Sequence, residues 1–222
     1  FGLRTTFLKT AGDRFGDGVN LNPEKKLWPF LVRLAKQRNL IIRDDDDGNL
    51  VFWVPPSAPA QPDAVLAQGH SPVISIAPEL DPQQYYSHIT GREPVFLGLG
   101  GETYTEKNDR LEGVLRPFTF EASDTSGATL QEATEAFAGR MFVNAAKYQV
   151  EVATWRRPDG EVWAAGDFVQ LHAPDAMVYE PYLFLIREVT LARNEFATTA
   201  SLQLIIPGSF RGEVPEKLPW DG

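Results

Sequence analysis

Tyr148-Gln149-Val150-Glu151-Val152-Ala153-Thr154-Trp155 alternates apolar and polar side chains, the pattern of a strand buried on one face. Three more strand-like runs follow it: Phe168-Val169-Gln170-Leu171-His172, Tyr182 to Leu191, and Thr198 to Ile206, closed by Pro207-Gly208. Asp159-Gly160 and Gly166-Asp167 punctuate them as turns. This spacing predicts an antiparallel sheet curling into a small barrel.

Working outward, Thr129 to Ala146 reads as a helix leading into that sheet. Thr129 and Glu132 have capping-box spacing. Leu130, Ala133, Phe137, Met141 and either Val143 or Ala145 supply an apolar face, which Gly139 weakens slightly. Nearer the start, Asn22 is placed to cap a helix from about Pro23 to Arg38, with Glu24 in its first turn. Leu27, Leu31 and Leu34 form its stripe, with Trp28 and Ala35 beside it. Pro29 removes one hydrogen bond and predicts a kink near Lys25.

Between the helices, Leu40 to Arg43 and Leu50 to Val54 read as a hairpin, followed by an extended Pro55–Pro62 connector. Val73 to Ile76 and Tyr85 to Ile89 are strands with Asp81-Pro82 turning between them. Phe96 to Tyr104, bearing Gly98, Gly100 and Gly101, is a loop, and Val114 to Phe120 is a strand whose Pro117 points to a sheet edge. Residues 1–20 are loop with one strand at Thr5 to Lys9. The expected fold class is α+β and strand-rich. A remnant or linker (1–20) precedes a mixed α/β domain with helix and hairpin (21–125). A connecting helix (126–147), a C-terminal antiparallel β-barrel-like domain (148–211) and a tail (212–222) complete it.

The 222 residues are 43% apolar and 23% charged, ordinary values for a globular protein of one large or two modest domains. No apolar run approaches the ~20 residues of a membrane helix, and no membrane insertion by this chain is expected. The first residue is Phe1, and the chain is read as a fragment of something longer. With no cysteine, disulfide and thiolate chemistry are excluded. A net charge of −9 argues against a surface built to neutralise nucleic-acid phosphates.

The Asp44-Asp45-Asp46-Asp47-Gly48-Asn49 run fails as a calcium loop, because Gly48 at the sixth position puts Arg43 first and Val54 twelfth. It suits a solvated hairpin loop. No Gly-Lys-Ser/Thr follows the glycine run, so it is not a phosphate loop. His70, His88 and His172 each stand alone, without the spacing of a metal pair, and no Gly-x-Ser-x-Gly elbow is present. Glu79, Asp81, Glu93, Glu102, Glu112 and Glu121 offer carboxylate pairs for glycoside hydrolysis, but thirty acidic residues make such coincidences inevitable. Trp155 and Trp163 bracket a turn and fit packing across strands better than stacking on a sugar. No catalytic, cofactor-binding or metal-binding residue is assigned, no cofactor is expected, and the chain is not read as an enzyme.

The order of these segments resembles the phage baseplate hub proteins, the family of late control protein D and the Mu-type hub. Arg33-Leu34-Ala35, Leu40-Ile41-Ile42, Asp47-Gly48-Asn49-Leu50 and Val51-Phe52 resemble its helix–hairpin segment. Gly69-His70-Ser71-Pro72-Val73 and Tyr86-Ser87-His88-Ile89-Thr90 resemble the segments that follow. An alanine-rich helix, Ala133 to Ala146, then leads to Trp155, Asp159, Gly160, Trp163, Gly166 and Asp167, a Trp-x-x-x-Asp-Gly-x-x-Trp-x-x-Gly-Asp pattern. The likeness runs from about residue 20 to 211. It implies a structural subunit of a homotrimeric ring in the tail baseplate of a virion, assembled in the host bacterial cytoplasm. The implied partners are the central spike, the tail tube and other baseplate proteins, with DNA passing through without specific binding. Such subunits carry two barrel-like domains, and this chain offers one. A tail-associated peptidoglycan hydrolase or a carbohydrate-binding module is the alternative.

Overall fold

The computed structural model describes residues 5–7, 26–37, 40–44, 48–53, 59, 61–93, 101–121, 130–209 and 212–221. In chain order the elements are β1 (Thr5–Phe7), α1 (Leu27–Gln37), β2 (Ile41–Asp44), β3 (Leu50–Trp53), β4 (Ala64–Ala67) and β5 (Val73–Leu80). Next come β6 (His88–Arg92), β7 (Thr103–Lys107), β8 (Pro117–Glu121) and α2 (Leu130–Ala145). β9 (Ala146–Val152), β10 (Phe168–Ala173), β11 (Val178–Arg193) and β12 (Thr198–Ile205) finish the order, a strand-rich α+β arrangement. Two compact units result: Phe1–Pro55 with Tyr86–Ala138, and Pro56–Tyr85 with Gly139–Gly222.

The second unit is built on a curled, six-stranded sheet in the order β4-β10-β11-β12-β9-β5. The apolar–polar alternation of Tyr148 to Val152 sets its register. Tyr148, Val150 and Val152 of β9 lie opposite Leu204, Leu202 and Ala200 of β12, and all six are fully buried. The intervening Lys147, Gln149 and Glu151 turn to the other face and stay partly exposed. Towards β10 both faces are covered: Phe184 and Leu204 are buried on one, while Leu185, Ile205 and Phe168 pack with Val143 of α2 on the other. The sheet differs from the expected antiparallel barrel in two respects. It draws β4 and β5 from outside 148–211, and β4 runs parallel to β10. Four residues, two of them alanine, give β4 too weak a strand signal to be seen in the sequence. The described part of the C-terminal tail is docked here. Leu218 is buried, and the Tyr182 hydroxyl donates to the Lys217 carbonyl at 2.9 Å.

The first unit holds two three-stranded sheets, β1-β3-β2 and β7-β6-β8. Ala35 of α1, Leu40 and Val51 are buried beside the first, with the Leu40 N–H donating to the Ala35 carbonyl at 2.8 Å. The N-terminal half of α2 covers the second sheet. Gly91 of β6 lets it approach closely, since a Cβ there would collide with Thr134 Oγ1 and crowd Leu130 and Phe120. Tyr86, Phe118, Phe137 and Phe120 stack in sequence at centroid separations of 4.6, 5.4 and 4.7 Å.

Several expectations shift in detail. Helix α1 begins at Leu27, with Lys26 outside it, so Pro29 falls in the first turn. Amide groups there have no acceptor within the helix, so the proline costs α1 no hydrogen bond, and Lys25, near which a kink was expected, lies outside the described residues. Asn22, Pro23 and Glu24 lie outside the described residues, as do Thr129, Gly98, Gly100 and Asp45 to Asp47. Strand β6 starts at His88 because Ser87 is diverted: its N–H donates to the Arg116 carbonyl and its hydroxyl accepts from the Arg116 N–H. The same diversion makes Val114 to Arg116 irregular and starts β8 at Pro117, on a sheet edge as expected. Strand β7 was not foreseen, since the neighbouring glycines drew that stretch into the loop reading.

Candidate functional site

The segment from Trp155 to Asp167 leaves the end of β9 and returns as β10, and its conformation is set by one arginine. The Arg157 guanidinium reaches Asp159 at 2.9 Å, Asp167 at 3.0 Å and Asp63 at 3.8 Å. Two of these carboxylates also cap backbone: Asp63 accepts from the Phe168 N–H at 2.7 Å, and Asp167 from the Ala164 N–H at 2.9 Å. A third, Asp159, accepts from the Glu161 N–H and shapes the Pro158-Asp159-Gly160 turn, where Gly160 has a φ of +93°. Burial disfavours the charge on Arg157, but the carboxylates of Asp167, Asp159 and Asp63 outweigh it and raise its pKa. Burial likewise raises the Asp167 pKa against the opposing pull of the Ala164 N–H and Arg157.

Both tryptophans serve the backbone. Trp163 is buried and its indole N–H donates to the Thr154 carbonyl at 3.1 Å. Trp155 donates to the carbonyls of Ala192 and Thr199 at 2.9 and 3.0 Å. Those residues face each other across β11 and β12, so one indole clamps both strands of that hairpin just beyond the end of β9. The Trp163 ring offers no open face for a sugar, and Trp155 is partly exposed. At the hairpin tip the Asn194 side chain accepts from the N–H groups of Phe196 and Ala197, and Phe196 stands 94% exposed.

The histidines are not brought together. His70 and His172 contact the carbonyls of Gln68 and Tyr179, while His88, in the other unit, contacts the Ser87 hydroxyl. Glu79 and Asp81 belong to the second unit and Glu93, Glu102, Glu112 and Glu121 to the first. Asp81 caps the turn at Gln83, and Glu121 pairs with Arg92 at 3.5 Å. Among the described residues no group of three or more His, Asp or Glu is placed to hold a metal ion. What the site does, on its geometry, is hold a hairpin and a turn rigidly. Sequence reasoning singled out the tryptophans, Asp159 and Asp167 but missed Arg157 and Asp63. Two adjacent arginines beside Asp-Gly were a signal for the former; Asp63, over ninety positions away, gave none.

Comparison with known proteins yields matches in structure alone. No family profile and no curated protein matches the sequence. Over 94% of the chain the fold is similar to the prophage MuSo2 43 kDa tail protein from Shewanella oneidensis, with a TM-score of 0.77 and 20% identity. Over 88% it is similar to a tail protein from Neisseria meningitidis MC58, at 0.72 and 19%. Prophage tail protein gp18 from Listeria monocytogenes EGD-e is similar over 91%, at 0.55 and 13%. The chain covers 62%, 60% and 60% of those three proteins, about three fifths of their length. At these identities the likeness establishes a shared fold.

Proposed function

We propose that the chain is a structural subunit of a phage tail or related injection particle, and specifically a baseplate hub. In this reading three copies form a ring that joins the central spike on one side to the tail tube on the other, and the chain performs no catalysis. The observation that carries the reading is the fold likeness to the MuSo2 tail protein over 94% of the chain. The sequence resemblance to hub proteins supports the finer assignment. A scaffold of this kind needs turns held in place by paired charges, which the Arg157 cluster supplies, and an acidic surface over which DNA passes without adhering. Contacts with other subunits of the particle are expected along strand edges, where another β-element adds.

Native mass measurement of the intact protein, co-produced with its tube and spike proteins, tests the ring. Three copies bound to either partner is the expected result. A monomer that associates with neither contradicts it.

A further inference from the structure

Strand β11 is sixteen residues long, and among the described residues its outer part has a neighbour on one side only. Strand β10 and the turn before it cover β11 as far as Ile186, whose N–H and carbonyl meet Asp167 and Gly166. Beyond that, from Val189 to Arg193, β12 is the only paired strand among the described residues. The hydrogen-bond phase of this stretch follows from its turn. The Asn194 N–H donates to the Ala197 carbonyl at 3.0 Å, and bonded and non-bonded pairs alternate in an antiparallel ladder. Ala192 and Thr190 therefore bond to β12, while Arg193, Leu191 and Val189 turn their N–H and carbonyl groups outward. The Trp155 indole, touching both carbonyls of the Ala192–Thr199 pair, agrees with that phase.

We propose that this outward edge, Val189 to Arg193, receives an extended strand from a different protein chain. The two end strands of this six-stranded sheet are blunted against such addition. Strand β4 has four residues, and β5 carries Pro78 and a register break between Val73 and Ser75. The β11 edge has neither proline nor glycine, and it is held straight by the Trp155 clamp and the Asn194 turn, so little order is lost on binding. Its side chains define the partner. Val189 and Leu191 share a face with Leu202 and Ala200 of the core, and Leu191 is still 42% exposed. An incoming strand that runs parallel to β11, with apolar residues opposite these two, would extend the buried row, and an acid at its C-terminal end suits the place opposite Arg193.

A second copy is the poorer occupant. Self-pairing about Thr190 sets Arg187 against Arg193 twice, and pairing about Leu191 lays Arg193 on Val189. Each copy also carries a net charge of −9. A nucleic acid is no better, since Arg187, Glu188, Arg193 and Glu195 balance in charge. This inference rests on strand geometry and stands independently of the tail assignment.

Residue-resolved hydrogen exchange on the intact protein tests it, with a heptapeptide of alternating valine and threonine ending in glutamate as the probe. In the free protein the amides of Val189, Leu191 and Arg193 should exchange roughly a hundredfold faster than those of Thr190 and Ala192. The peptide should slow those three by about tenfold or more, and a version N-methylated on its pairing amides should not. Leu191→Pro removes only an outward N–H, so it should abolish the effect and leave Thr190 and Ala192 protected. Concentration-dependent protection in the free protein would assign the edge to a second copy and overturn the proposal. Equal protection by both peptides, or none by either, would also overturn it.

Discussion

Gly139 shows how one residue's meaning changes once its neighbours are known. In a helix a glycine costs about 1 kcal/mol relative to alanine, which makes Gly139→Ala look stabilising. A Cβ at that position, however, would overlap the backbone of Gly212 and lie 2.6 Å from the Glu213 nitrogen. Backbone cannot step aside cheaply, so Gly139→Ala is expected to lower stability by about 2 kcal/mol or more in a denaturant melt. A rise would show that the segment after Ser209 is not packed there. Tyr148 makes the complementary case. Its ring is fully buried against Phe184 at 4.9 Å, yet its hydroxyl has no hydrogen-bond partner. Burial first, then Tyr182 and Tyr179, push its pKa up to about 12. The unfolded chain ionises near pH 10 and the folded one near 12, so the unfolded state binds fewer protons across that window. Stability therefore falls as pH rises from 10 to 12, by on the order of 3 kcal/mol from this group. Tyr148→Phe should remove that alkaline loss and be neutral or stabilising at pH 7, because it deletes an unsatisfied polar atom. Melts at three pH values would check both parts.

At the scale of elements, the Trp155–Asp167 turn and the β11–β12 hairpin depend on side chains that bond to backbone. Trp155→Phe keeps the ring and loses the N–H, so protection of the Ala192 and Thr199 amides should drop while the β9–β12 pairing holds. Unchanged exchange would show that the clamp is incidental. Arg157→Met leaves Asp159, Asp167 and Asp63 without their shared cation, and because Asp159 and Asp63 are 47% and 41% exposed it should cost about 1 kcal/mol, read by thermal melting. The strands of this unit were legible because Tyr148, Val150 and Val152 alternate so regularly with polar residues. β4 was not, because four residues paired in parallel with a distant strand carry no local pattern. The tryptophans were legible as packing residues, whereas their hydrogen bonds depend on where β9 ends, which alternation alone does not fix. Arg157 was missed for the same reason: its partner Asp63 is supplied by the fold.

At the scale of the whole molecule, the proposed tail role and the proposed strand addition at β11 agree, since each makes this a chain that joins an assembly. The resemblance found in the sequence was spread across short segments, each common by itself. Their order gave the expectation of a hub, and the similarity of fold over 94% of the chain to a prophage tail protein supports its coarser part, a tail protein, while the hub assignment stays a proposal. The most direct measurement is location. Particles purified from the producing cells, carrying an epitope inserted after Phe196 at the hairpin tip, would be labelled with gold and imaged. The proposal predicts label confined to the baseplate end of tails, at the junction of tube and spike. Label along the tube, on the capsid, or only on material free of particles would contradict it.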